Sequence, residues 1–227
     1  MLEARNIEKS FGRGSASVKA INGISISIEN GIFYSIIGKS GSGKTTLLRL
    51  LSGLLKPDSG EILYDGLSMT DWDEGERQSF RRKKIGLVFQ DFKLFPELSV
   101  KENILLPMLL DGRTADESRC NKLMTALEIE NLAEKRADEV SGGEAQRCAI
   151  ARALINNPEV IFADEPTGNL DRKSSEKVLE LLLRIHGSFS TSIVMVTHDL
   201  DMARCADRII KLEDGRILKR GVTSFDS

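Results

Sequence analysis

The chain has 227 residues, 41% hydrophobic and 29% charged, the composition of a globular protein long enough to bury a core of its own. Lys and Arg number 32 against 34 Asp and Glu, so a net charge of −2 excludes a general basic field that would hold nucleic acid or an anionic membrane. The longest apolar run, Ile104 to Leu110, falls far short of the roughly 20 residues a membrane helix needs, and the charged N-terminal stretch does not read as a signal peptide. Cys120, Cys148 and Cys205 are widely spaced and only two histidines accompany them, so no structural zinc site is expected. Together these features predict a protein of the reducing cytosol.

Up to about Asp65 the pattern is mostly strand. Ile24 to Ile28 alternates strictly, Glu29-Asn30-Gly31 reads as a tight turn, and Ile32 to Ile37 is apolar enough for a parallel strand buried on both faces. Glu61 to Tyr64 followed by Asp65-Gly66 predicts a strand and a hairpin turn. From about Asp91 to Asn157 the signal is helical. Ser99 and Glu102 have capping-box spacing before Ile104 to Leu110, where Pro107 should kink or end the helix, and Thr114 and Glu117 repeat the spacing before a segment reaching about Leu127. Strands and helices then alternate: Val160 to Ala163, Ser174 to His186, Ile193 to Thr197, Asp199 to Ala206. A final hairpin runs from Arg208 to Leu218 through Asp214-Gly215. The alternation predicts an α/β fold with a parallel sheet, an antiparallel β layer and a helical insert.

Gly38, Lys39, Ser40, Gly41, Ser42, Gly43, Lys44 and Thr45 fit the phosphate-loop pattern G-x-x-x-x-G-K-[ST], between a buried strand and an apolar helix that begins at Thr46, the last residue of the candidate site. The glycines let backbone N–H groups turn inward around a phosphate, and the helix N-terminus adds its positive end. Lys44 would charge-pair with the β- and γ-phosphates of a nucleotide, and the Thr45 hydroxyl would ligate Mg²⁺. No N-K-x-D motif for reading guanine is present.

Val160 to Ala163 runs into two adjacent acids. Asp164 could hold Mg²⁺ or its water, and Glu165 could take a proton from an attacking water, although solvated carboxylates capping a strand would look alike. In Val140 to Arg147, Ser141 and Glu144 could be a plain capping box. Gly142 and Gly143 in the first turn cost roughly 1 kcal/mol each against Ala, and their bare amides beside Ser141 would make a second phosphate-binding surface. A phosphate loop plus a separate γ-phosphate reader suggests two chains sandwiching ATP head to tail.

With these residues assembled, VSGGEAQR resembles the signature of ABC-type ATPases, and the other family motifs stand in order over essentially the whole chain. Gln90 matches the Q-loop glutamine, Asp164 and Glu165 the Walker B pair, Asp171 the D-loop and His198 the switch histidine. Phe11 stands where the family stacks an aromatic ring on adenine. Glu144 departs from the glutamine many relatives carry; an acid near a γ-phosphate is unfavourable unless it points away as a cap. The resemblance implies one ATPase cassette: a nucleotide-binding core with a β layer over about 1–90 and 158–227, and a helical subdomain over about 91–157. It implies ATP and Mg²⁺ as cofactors, with Thr45, Gln90 and Asp164 near the metal, and Lys44, Gln90, Glu165 and His198 as the catalytic group. It implies a homodimer in the ATP-bound state and a transmembrane permease docking near Gln90 to Val100, which would place the chain on the inner face of the cell membrane. Phe92 to Leu110 and Phe162 to Asp171 look most like the subgroup serving macrolide and lipoprotein export and antimicrobial-peptide resistance. The alternative is a non-transporting ATPase that regulates envelope remodelling, cell division or signalling.

Overall fold

The computed structural model describes residues 1–12, 14–189, 191–218 and 223–224. In chain order the strands and helices begin β1 (Leu2–Phe11), β2 (Val18–Ile28), β3 (Phe33–Ile37), α1 (Lys44–Leu51), β4 (Ser59–Tyr64) and β5 (Leu67–Ser68). Next come α2 (Glu74–Lys84), β6 (Ile85–Phe89), α3 (Val100–Leu110), α4 (Glu117–Ala126), α5 (Gly142–Leu154), β7 (Val160–Asp164) and α6 (Arg172–Phe189). β8 (Ser192–Val196), α7 (Leu200–Ala203), β9 (Arg208–Glu213), β10 (Arg216–Ile217) and β11 (Thr223–Ser224) complete the order. The residues pack as two compact units, Met1–Gln78 with Ser192–Ser227, and Ser79–Thr191.

The first unit holds two sheets. One is antiparallel, in the order β2-β1-β4-β5. Along β2 the alternation of the sequence becomes sidedness: Ile24 and Ile28 are buried while Ser25 and Ser27 face solvent. In the other sheet β3 lies between β8 and β9 and runs parallel to both. Phe33, Tyr34, Ser35 and Ile36 are buried, as is every residue of β8, because such a sheet is covered on both faces. The turn over Glu29 to Gly31 therefore joins strands of two different sheets. Both Asp-Gly turns form as expected: Tyr64 pairs with Leu67 across Asp65-Gly66, and Glu213 with Arg216 across Asp214-Gly215. α1 packs on β8, β1 and β2.

In the second unit β6 and β7 are parallel neighbours, and α5 packs against β6, α3, α4 and α6. Its Ala145, Cys148, Ala149 and Ala151 are all buried, small side chains that let three helices approach one. Ser99 and Glu102 form the reciprocal capping box on α3, with bonds of 2.8 and 3.1 Å. Pro107 lies inside that helix, which continues to Leu110. On α4 the cap is Asp116, accepting from the Arg119 N–H at 2.8 Å, and not Thr114; a carboxylate is the stronger cap and adds favourable charge at the helix N-terminus. Among the described residues no helix is long and apolar enough to cross a membrane.

Asn103 has no counterpart in the sequence reading. It is fully buried on α3. Its Oδ1 accepts from the Phe95 N–H at 2.8 Å, and its Nδ2 donates to the carbonyls of Phe95, Leu98 and Ser99 at 3.0 to 3.2 Å. One amide thus holds the loop between β6 and α3. Replacing it with Leu leaves several buried backbone groups unpaired, so Asn103→Leu is expected to lose about 2–4 kcal/mol in urea unfolding; an unchanged midpoint would mean the loop is held by other contacts.

Candidate functional site

In the first unit the chemistry gathers at the carboxyl ends of parallel strands. Ile36 is in register with Val196, so the loop after β3 and His198, two residues past β8, leave the same edge of the sheet. The loop is wedged between backbone segments. A Cβ on Gly38 would lie 2.2 Å from the Leu212 carbonyl oxygen; one on Gly43, whose φ is +101°, would lie 2.3 Å from that of Ala20. Only glycine fits these two approaches. The Gly215 N–H donates to the Ser42 carbonyl at 3.1 Å and closes the far side.

Three features leave this loop ready for an anion. α1 opens on Gly43, with no side-chain cap on its N–H groups. Lys44 is buried, and its Nζ donates to the carbonyls of Gly38 at 2.9 Å and Lys39 at 3.0 Å, which brings a positive charge to the loop. The Ser42 Oγ is buried without a hydrogen-bond partner, an expensive arrangement that an acceptor oxygen brought into the loop would relieve. Lys39, Ser40 and Gly41 are exposed, and Thr45 and Thr46 are half-buried on the first turn of α1. Phe11 ends β1 with 47% of its surface exposed. His198 is also exposed.

The second unit repeats the arrangement. Phe89 is in register with Asp164, so Gln90 and Glu165 follow from the same edge of a parallel pair. Glu165 takes φ +46°, a left-handed turn directly after the strand, closed by the Gly168 N–H donating to the Glu165 carbonyl at 3.0 Å. Gln90 is held by Asn169: its Nε2 donates to Asn169 Oδ1 at 3.2 Å, and Asn169 Nδ2 donates to the Gln90 carbonyl at 3.1 Å. A Cβ on Gly168 would reach 2.8 Å from the Gln90 amide nitrogen, so the side chain lies directly over that glycine. Asn169 lies in the stretch Gly168 to Asp171 that matches the D-loop, but nothing in the sequence singles out its contact with Gln90.

Ser141 opens α5 with the reciprocal capping box. Glu144 accepts from both the Ser141 N–H at 2.8 Å and its Oγ–H at 2.7 Å, so the departing acid does point back as a cap. Gly143 is buried against α6, where a Cβ would lie 3.0 Å from Ser174 Oγ. Close packing thus accounts for part of the glycine pair. Asp171 is an N-terminal cap too, accepting from the Ser174 N–H at 3.0 Å and its Oγ–H at 2.8 Å. These bonds hold its carboxyl below the usual aspartate range. The expected residues therefore fall in two groups: Phe11, the phosphate loop and His198 in the first unit, and Gln90, Ser141, Gly142, Gly143, Asp164, Glu165 and Asp171 in the second.

The hydrogen bond from the Ser141 hydroxyl, then that from its backbone N–H, lowers the Glu144 carboxyl below the ordinary glutamate range. A lowered native value stabilises the fold above the unfolded-chain value of about 4.3 and loses that contribution as pH falls through the native one. Glu144→Gln is therefore expected to be less stable than the parent at pH 6, with the gap narrowing as pH falls below about 4.3 in urea melts. A gap independent of pH would show that the cap does not need its charge.

The model of the ABC transporter family matches residues 21–168, more than half the chain. The chain belongs to the ABC transporter family. It is an ATP-binding cassette ATPase, and its relatives follow the same line. It is 44% identical over 219 residues to the bacitracin export ATP-binding protein BceA of Halalkalibacterium halodurans, covering 96% of this chain and 87% of that one. It is 41% identical over 221 residues to the macrolide export ATP-binding/permease protein MacB of Syntrophobacter fumaroxidans, covering 96% of this chain but only 31% of that longer protein. The dimeric post-hydrolysis structure of the ATP-binding cassette MJ0796 of Methanocaldococcus jannaschii, bound to ADP and phosphate, superposes with a TM-score of 0.91 at 38% identity, covering 100% of both chains.

Proposed function

We propose that this cassette powers a membrane export system for an amphiphilic substrate (an antimicrobial peptide, a macrolide or a lipoprotein), with two copies closing head to tail on two ATP molecules. The observation that carries the nucleotide end of this reading is the phosphate loop, with its uncapped α1, its lysine and its orphaned Ser42 hydroxyl. In this reading Gly38 to Thr46 hold the phosphates, Phe11 stacks on adenine, and Ser141, Gly142 and Gly143 of one copy contact the γ-phosphate bound by the other. Glu165 accepts the proton of the attacking water, and His198 steadies the γ-phosphate. Asp171 acts across the dimer once its cap bond to Ser174 is exchanged.

The donors available suit Mg²⁺. Thr45, Gln90 and Asp164 offer a hydroxyl, an amide and a carboxylate, all hard oxygens. Mg²⁺ characteristically keeps several waters and binds through one or two carboxylates plus substrate phosphates, a demand that so small a donor set can meet. When bound, the ion would neutralise charge on the β- and γ-phosphates.

The permease would seat near Gln90 to Val100, where Val100 is buried in the unit and Phe95 is 51% exposed. That contact would hold the cassette on the inner face of the membrane. The names of the bacitracin and macrolide exporters support the substrate class. The test is to purify the tagged chain from membranes: a co-isolating polytopic subunit that raises its ATPase rate is expected, whereas a wholly soluble, nucleic-acid-bound chain would contradict the reading.

A further inference from the structure

Gln146 stands out among the residues that the catalytic reading leaves unused. It lies on the second turn of α5, five positions after Ser141, and is fully buried. Its Nε2 donates to the Pro166 carbonyl at 2.6 Å, while its Oε1 is buried with no partner. An apolar side chain of similar volume would avoid that orphaned acceptor, so fold stability alone does not account for glutamine at this position. The one bond it makes falls on the carbonyl immediately after Glu165, whose left-handed φ of +46° is strained for a residue with a side chain. The Gly168 N–H fixes the turn from within, and Gln146 fixes it from α5.

We infer that Gln146 is a positioning residue that holds Glu165 in its left-handed turn and ties the aim of that carboxylate to the signature helix. The inference rests on the proposed function, in which Glu165 is the proton acceptor and the start of α5 contacts the partner's nucleotide. α5 then carries two messages at spacings set by its own rigidity: Ser141 at its start contacts the γ-phosphate in one site, and Gln146 one turn later aligns the base for the other. Arg152, two turns further along, holds the Phe92 carbonyl at 2.7 Å, so the same helix also reaches the segment after Gln90.

Gln146→Met keeps the volume and removes both the donor and the orphaned acceptor. In steady-state ATPase assays kcat is expected to fall about tenfold with KM within twofold, while the thermal midpoint is unchanged or raised. In a Glu165→Gln background the same change is expected to have no further effect on residual turnover, because the group it positions is gone. A merely structural glutamine would instead lower the midpoint and leave kcat per folded molecule intact, or act additively with Glu165→Gln; either result overturns the inference. If Gln146→Met does not fold, Gln146→Leu carries the same test, and failure of both to fold also overturns it. The underlying reading fails separately: there, Glu165→Gln alone would hydrolyse ATP at the parental rate.

Discussion

Glu165→Gln is expected to hydrolyse ATP about 100- to 1,000-fold more slowly than the parent and to elute from a sizing column as a dimer in the presence of ATP. The rate follows from the loss of a general base, which typically contributes a factor of that order. The assembly follows from geometry. Glu165 sits in a tight turn after a buried strand, half-buried, with Gly168 closing the turn behind it. An amide there keeps the volume and the backbone while losing only the ability to take a proton, so ATP would still bind and the closed dimer would persist for want of hydrolysis. Phosphate release measured alongside elution separates the two effects. A monomer with parental turnover would show that another group accepts the proton.

Lys44→Ala is expected to weaken ATP binding about 10- to 100-fold in titration calorimetry, with turnover lost at any accessible nucleotide concentration. One charge-assisted hydrogen bond is worth about 1.5–3 kcal/mol, the size of that change. The lysine also crosses the loop to the carbonyls of Gly38 and Lys39, so its removal loosens the cradle as well as discharging it. Folding should change little, since neither bond reaches beyond the loop. An unchanged dissociation constant would mean that backbone N–H groups and the α1 terminus hold the phosphates unaided.

What the sequence revealed depended on how local each interaction is. The phosphate loop, the two Asp-Gly hairpins and the Ser99 and Ser141 capping boxes are complete within a few residues, and each was readable from spacing alone. The assignment of β2 and β3 to different sheets was not, because the turn between them looks the same whether the strands pair with each other or with distant partners. Thr114 and Asp116 offered competing caps two residues apart, and only the conformation of the chain entering α4 chose between them. Asn103, Asn169 and Gln146 make contacts that spacing did not reveal, for a shared reason. Each is an amide whose meaning lies in backbone groups elsewhere: Phe95 for the first, Gln90 for the second and Pro166 for the third. Three-dimensional contact also gave the glycines of this loop a purpose beyond the proposed phosphate binding, since Gly38 and Gly43 make room for the Leu212 and Ala20 carbonyls.

The central claim is that ATP is hydrolysed between two copies of this chain, and specific activity as a function of protein concentration tests it most directly. Phosphate release per mole of protein should rise in proportion to concentration while the chain is mostly monomeric, then level off where sedimentation shows the ATP-bound dimer. A specific activity that stays constant down to concentrations at which only monomer sediments would contradict the account.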